Sequence, residues 1–197
     1  MKHIFIFFEL ISVVCNYLKY KLLFKDSKKF YIKGKSKIIG YRMIAIGDSF
    51  FANNLLRIEV FGNNSALKLM IGNDVAIGQN VHIGVNNFVS IKNNVLIGSN
   101  VLITDHNHGV YSGLNQSDPA VAPVLRPLTT EGFVIINENV WIGDGVSILP
   151  NVEIGQGSII ASNSTVTRNI PVNVIAGGSP CKVIKRYNNE LKKWEKV

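Results

Sequence analysis

The feature that most constrains this chain is a six-residue ladder of isoleucines. It runs through Ile71, Ile77 and Ile83 to Val89, slips by two residues, and resumes at Ile91, Ile97 and Ile103. It returns at Ile136, Ile142, Ile148, Ile154, Ile160 and Val166, and a weaker run of Ile32, Ile38 and Ile44 precedes it. Most units read Ile-Gly-x-x-Val-x, as in "IGNDVA", "IGQNVH", "IGSNVL" and "IGDGVS". A period of six with two apolar positions matches neither an amphipathic helix nor a half-buried alternating strand. It fits a short strand, a tight corner and another short strand. Gly, Asn and Asp follow the isoleucines because they tolerate the positive φ that corners need. The apolar residues then point inward and stack on their equivalents in the next coil. The expectation is an all-β parallel β-helix, which closes its core only over several coils.

The ladder breaks at "LITDHNHGVYSG", residues 102–113, where Asp105, His106 and His108 arrive together. The next rung after Ile103 is Ile136, so residues 107–133 form an excursion, with Gly109, Gly113, Pro119, Pro123 and Pro127 along it. A loop longer than about 12–15 residues in a compact domain usually carries function. A polar turn, a metal site and a catalytic base all remain open there. Imidazole, with an ordinary pKa of about 6.5, can take a proton near neutrality. A zinc site needs about three imidazoles in suitable spacing, and the chain has only His3, His82, His106 and His108. No metal is expected. No phosphate-binding glycine loop or serine elbow is present, and Cys15 and Cys181 lie far from the His106 stretch and outside any CxxC pair. That excludes a disulfide framework, suits a reducing, cytoplasmic compartment and gives an acyl-cysteine no support.

The two ends are basic and the middle is not. Residues 1–40 hold nine lysines against Glu9 and Asp26, and residues 182–197 hold six basic residues against two acidic ones. Basic ends on a slightly acidic middle do not make a nucleic-acid groove, which interleaves cations with aromatics along one surface. Within a segment 1–30, Ile4, Phe7, Phe8, Ile11, Val14, Cys15, Leu18 and Leu22 recur at helical spacing, followed by Lys19, Lys21, Lys25, Lys28 and Lys29. The apolar run is shorter than the roughly 18–20 residues of a span. Such a helix either packs on the body or a partner subunit, or lies on the cytoplasmic face of an anionic membrane. The expected organisation is this N-terminal helical segment (1–30), the β-helix (31–186), and a basic C-terminal tail (187–197) with short helical character.

From about residue 32 to 186 the chain resembles the hexapeptide-repeat acyltransferases. The most specific stretch is "INENVWIGDGVSILPNVEIGQGSIIASNSTVTRNIPVNVIAGGSPCKVIKR". It is similar to the sugar O-acetyltransferase branch, with galactoside and maltose acetyltransferases and polysaccharide-modifying relatives. The resemblance implies a left-handed coil, a homotrimer with active sites between subunits, and acetyl-coenzyme A as donor. It implies that the loop walls the active site. His106, in "ITDH", matches the family's general base, with His108 as the alternative and Asp105 as a candidate to orient the imidazole. Ser162, Thr167 and Arg168 match positions that contact the coenzyme. Trp141 and Gly143 in "VWIGDG" lie where the pantetheine arm would pack, and Asp144 departs from a serine in the galactoside-like relatives. Gly178, Lys182 and Lys185 suit close backbone approach and phosphate charge. His82 and Arg126 are expected on the acceptor side. The implied activity is O-acetylation of a sugar or glycan precursor by direct transfer. An amino-sugar N-acetyltransferase, a xenobiotic acetyltransferase and a non-catalytic module are the alternatives on this scaffold. A carbonic anhydrase of the same fold spaces its two loop histidines more widely than this His-x-His.

Overall fold

In the computed structural model the described residues are 2–24, 27–62, 66–129 and 131–197, with the side chains of 2–9, 12 and 16 left outside. Lys25 and the side chains of Ile4, Phe7 and Phe8 therefore fall outside the described residues.

The ladder builds a triangular prism. Each short strand pairs in parallel with the strand three positions on, so three faces wind upward together. The first face carries Ala76–Ile77, Leu96–Ile97, Trp141–Ile142 and Ile159–Ile160. The second stacks Lys37–Ile39, Arg57–Val60, His82–Val85, Leu102–Thr104, Ser147–Ile148 and Thr165–Val166. The third runs from Ile44–Ile46 through Phe88–Ile91 and Phe133–Ile136 to Val152–Ile154.

Register makes the core a set of apolar columns: Ile83 stacks on Ile103 and Ile103 on Ile148, all with no solvent exposure. Each such side chain contributes about 1.5–3 kcal/mol when withdrawn from water. At one corner Asp74, Asn94 and Asn139 each adopt a positive φ, from 55° to 59°. Short polar side chains accept that conformation where a β-branched one would clash, so the sequence sets its isoleucines three residues before and its valines, Val75, Val95 and Val140, one residue after.

The N-terminal helix, Lys2–Leu23, forms as expected. Its C-terminal end closes the base of the prism: Tyr20 is fully buried, Phe24 lies 5.6 Å from Phe30 between ring centroids, and Phe30 stacks on Phe50 at 5.4 Å. Tyr20 Oη donates to the Ser36 carbonyl at 2.8 Å, tying the helix to the strand that begins at Lys37.

The C-terminus corrects one expectation. No helix forms there; Lys182–Asn188 runs antiparallel to Val174–Gly177, and Lys193–Lys196 folds back on it. The strand passes through residue 186, so the tail is a hairpin on the first face rather than a separate segment. The reason is local. Exposure alternates along Lys182–Tyr187 with the two-residue period of a strand. Asn188 Oδ1 accepts the N–H groups of Glu190 and Leu191 at 3.0 Å each, which turns the chain. Tyr187 and Trp194 then meet edge to face at 5.2 Å.

Candidate active site

The corner that ends the second face at Leu102–Thr104 holds a buried carboxylate. Asp105 has no solvent exposure, and its two oxygens accept four hydrogen bonds. Oδ1 takes the Asn86 N–H and His106 Nδ1, each at 2.8 Å; Oδ2 takes the N–H groups of Asn87 and Phe88 at 2.8 and 2.7 Å. Burial alone would push this carboxyl upward. The His106 contact and the three backbone donors outweigh it and hold the group below its ordinary value. Asp105 is therefore ionised, and an ionised carboxylate only accepts. His106 Nδ1 must carry a proton, so in the neutral tautomer that this contact selects, the lone pair lies on Nε2, an assignment made from the network.

The imidazole is held on its other sides as well. The Phe61 ring meets it edge to face at 5.5 Å between centroids, and Thr104 Oγ1 lies 3.3 Å from Nδ1. Beneath it is Gly84, where a β-carbon would come within 3.3 Å of His106 Cε1 and 3.8 Å of His82 Nε2. A glycine here, itself buried, leaves the room that the two imidazoles need to approach.

On the same face, Lys37, Arg57 and His82 are register partners on successive strands, as are Glu59, Gly84 and Thr104. Glu59 is nearly buried, with Arg57 Nη2 at 2.6 Å, Lys37 Nζ at 3.5 Å and His82 Nε2 at 3.3 Å. The His82 contact lacks hydrogen-bond alignment and leaves that nitrogen without a partner. Burial raises the Glu59 carboxyl, but the Arg57 hydrogen bond and neighbouring cations bring it below its ordinary value. His82 is lowered by burial first and by Arg57 second, despite the opposing pull of Glu59, so it is neutral near pH 7. Arg57, Glu59 and Phe61 escaped the sequence reading, although a signal existed. Aligned on their isoleucines, "RIEV", "HIGV" and "LITD" place Arg57 over His82 and Glu59 over Gly84.

The excursion leaves and returns through a stem. His108 bridges antiparallel to Leu128, Thr129 N donates to Asn107 O at 3.0 Å, and Gly109 N to Pro127 O at 2.9 Å. Its return is pinned by the asparagines that hold Asp105: Asn86 Nδ2 donates to Thr129 O at 2.7 Å and Asn87 Nδ2 to Gly132 O at 2.8 Å. Gly132 passes so close to the Asp105 carbonyl that no side chain fits. A groove of about 840 Å³ opens beside this stem, lined among others by Asn107, Tyr111, Leu128 and Pro150. The His108 side chain is exposed. Arg126 commits all three guanidinium nitrogens inside the loop, to Val121 O, Tyr111 Oη and Pro119 O at 2.8–3.1 Å. It braces the loop in this chain.

The candidates for donor binding fall on two edges of the prism. Thr167 and Arg168 follow Thr165–Val166, two strand spacings above Leu102–Ile103, so they share the His106 edge about 10 Å away. Trp141, half exposed, stands on the first face. Gly143, Asp144 and Ser162 line the corner between the first and second faces, with Asp144 Oδ1 accepting the Ser99 N–H at 2.6 Å. Gly178, at φ 101°, Lys182 and Lys185 lie near the first-face hairpin. One chain brings Thr167 and Arg168 to the histidine edge and keeps the others off it. Among the described residues no group of three His, Cys, Asp or Glu is placed to hold a metal ion, and no helix is long and apolar enough to cross a membrane.

Comparison with known proteins agrees with this architecture. The bacterial transferase hexapeptide family (six repeats) matches residues 133–168. A protein of Escherichia coli (strain K12) named as the lipopolysaccharide biosynthesis O-acetyl transferase WbbJ is 38% identical over 155 residues, 78% of this chain and 77% of its own. The galactoside O-acetyltransferase of Lactococcus lactis subsp. lactis (strain IL1403) is 42% identical over 88 residues, 42% of each chain. Among solved structures, the fold is shared with AntD, an N-acyltransferase from Bacillus cereus solved with dTDP and 3-hydroxybutyryl-CoA, at a TM-score of 0.65 and 20% identity over 84% of both chains. On the ladder, the corner geometry and the relative matched over most of both lengths, the protein belongs to the hexapeptide-repeat transferase family, as an acetyltransferase built on a left-handed parallel β-helix.

Proposed function

We propose that the protein transfers the acetyl group of acetyl-coenzyme A to a hydroxyl of a sugar or glycan precursor, with His106 as general base. The observation that carries this is the Asp105–His106 pair, a buried ionised carboxylate fixing the tautomer of an imidazole at 2.8 Å. His106 Nε2 takes the hydroxyl proton as the oxygen attacks the thioester carbonyl, and the tetrahedral adduct collapses by breaking the C–S bond. The departing thiolate takes the proton back from the imidazolium, giving coenzyme A and an acetyl ester. Asp105 stabilises the imidazolium in between. The O-acetyl transferases named above, rather than the N-acyltransferase of similar fold, support a hydroxyl acceptor.

Trp141, Gly143, Ser162, Gly178, Lys182 and Lys185 serve the donor from a neighbouring copy in a homotrimer, because in one chain they lie off the His106 edge; Asp144, which accepts the Ser99 N–H, braces its turn instead. The N-terminal helix supports a peripheral contact with the cytoplasmic membrane face. Leu10, Ile11, Val14, Leu18 and Leu22 are exposed, Leu22 by 79%, and Ile11, Leu18 and Leu22 lie on the side away from Tyr20 and Phe24. Co-sedimentation with anionic vesicles tests this contact, and equal binding by an Ile11→Glu, Leu18→Glu variant refutes it.

The function itself is tested by thiol release from acetyl-coenzyme A over a panel of sugars, amino sugars, nucleotide sugars and antibiotics. A sugar hydroxyl acceptor is expected to consume the donor in the wild type and not in His106→Ala. Turnover confined to amines, or undiminished in His106→Ala, overturns the reading.

A further inference from the structure

The second face carries a polar column that the dyad does not use. Lys37, Arg57 and His82 are direct register partners, so they step away from the His106 coil at about 4.8 Å per strand. Beneath them lies Glu59, its side chain 10% exposed, holding Arg57 at 2.6 Å and Lys37 at 3.5 Å. The carboxylate fixes two cations whose side chains stay 52% and 62% exposed. Neither cation has another ion-pair partner among the described residues, and the Arg57 side chain stays half exposed. Two cations over one carboxylate, with His82 neutral, leave the column net positive. Between this column and the base lies Gly84, buried, whose lack of a side chain lets the His82 and His106 rings approach each other.

We propose that this column binds the phosphate groups of a glycosyl phosphate acceptor, with the sugar over the part-exposed His82 and its reacting hydroxyl at His106 Nε2. A pyranose spans about one strand spacing. An anomeric phosphate then falls at Arg57, whose planar fork suits phosphate oxygens, and a second phosphate at Lys37. The inference rests on His106 being the base. Nucleotide diphosphate-sugars and lipid-linked diphosphate-sugars share this chemistry.

Two measurements test it. Inorganic pyrophosphate is titrated by calorimetry into the full chain saturated with coenzyme A, so that the donor's own phosphate site is filled. One saturable site is expected, weakened at least about tenfold by Arg57→Gln and less by Lys37→Gln. Lys37→Gln is the second variant because Arg57→Gln strips buried Glu59 of its short contact. Lys92→Gln, which removes an exposed cation on another part of the prism, keeps wild-type affinity. Thiol release is then compared for a methyl glycoside, the matching sugar 1-phosphate, the nucleotide diphosphate-sugar and a short-chain polyprenyl diphosphate-sugar. The phosphorylated acceptors are expected to exceed the neutral glycoside by about tenfold or more in kcat/KM, and the ratio to fall toward one in Arg57→Gln. The better of the last two acceptors identifies the source. No pyrophosphate binding with coenzyme A in place, equal affinity in wild type, Arg57→Gln and Lys37→Gln, or a neutral glycoside that matches its phosphate overturns the proposal. Arg57-dependent pyrophosphate binding with no acetyl transfer to any acceptor upholds the phosphate site and overturns the acetyltransferase reading instead.

Discussion

Two corners of this prism each carry an aspartate, and they do different things with it. At the corner between the first and second faces, Asp144 is exposed and accepts one backbone N–H, from Ser99 at 2.6 Å. The chain turns there and goes on. At the corner between the second and third faces, Asp105 is buried, accepts three backbone N–H groups and holds an imidazole. There the chain leaves the coil after His106 and rejoins it at the strand Phe133–Ile136. The same residue type at equivalent bends braces a turn in one place and holds an imidazole in the other. Burial and the count of donors make the difference, because a desolvated carboxylate with four partners is both ionised and immobile.

Removing the imidazole tests this contrast with the largest expected effect. His106→Ala should lower kcat about a thousandfold, within the usual range for a lost general base, while thermal unfolding stays close to wild type. A kcat within tenfold of wild type would place the base elsewhere. Asp105→Asn comes next. An amide cannot accept from all four donors, so about 2–4 kcal/mol of stability should go at pH 7, and kcat should fall about a hundredfold as the tautomer is released. The pH dependence has a definite sign. A carboxyl whose folded pKa is depressed stabilises fully above its unfolded value, ordinarily 3.8. That contribution is lost as pH falls through the lower folded value. Denaturant midpoints of wild type and Asp105→Asn should therefore converge below about pH 4; a gap that stays constant into acid would mean the carboxylate is not held ionised. Gly84→Ala is milder. Its methyl would sit 3.3 Å from His106 Cε1 and displace the ring by a few tenths of an ångström. A loss of about tenfold in kcat with little change in stability is expected.

The fold was legible because a stacked core repeats its demand at every coil. Ile83, Ile103 and Ile148 announce one column three times over. His106 was legible for the complementary reason, as the point where the demand stops being met. The C-terminal hairpin was not, since Lys182–Asn188 has no repeat to belong to and shows only a short alternation. Arg57, Glu59 and Phe61 were missed because their meaning depends on which strand lies beside which. Linear distance puts Glu59 far from His106, whereas register sets Glu59 against Gly84 and Gly84 against Thr104. Arg126 shows a partnership that spacing does not announce. A lone arginine in a functional loop invites a substrate role, yet the loop's own carbonyls take up its guanidinium.

The smallest effect should come from the other corner. Asp144→Asn keeps an oxygen for the Ser99 N–H and removes only an exposed charge. As a turn brace, its replacement should leave stability within about 0.5 kcal/mol and the KM for acetyl-coenzyme A within about twofold. A donor KM shifted tenfold with unchanged stability would mean that the carboxylate touches the donor from a neighbouring copy. In that case the two corners would differ in which substrate they serve, and burial would no longer be the property that separates an aspartate that positions an imidazole from one that braces a turn.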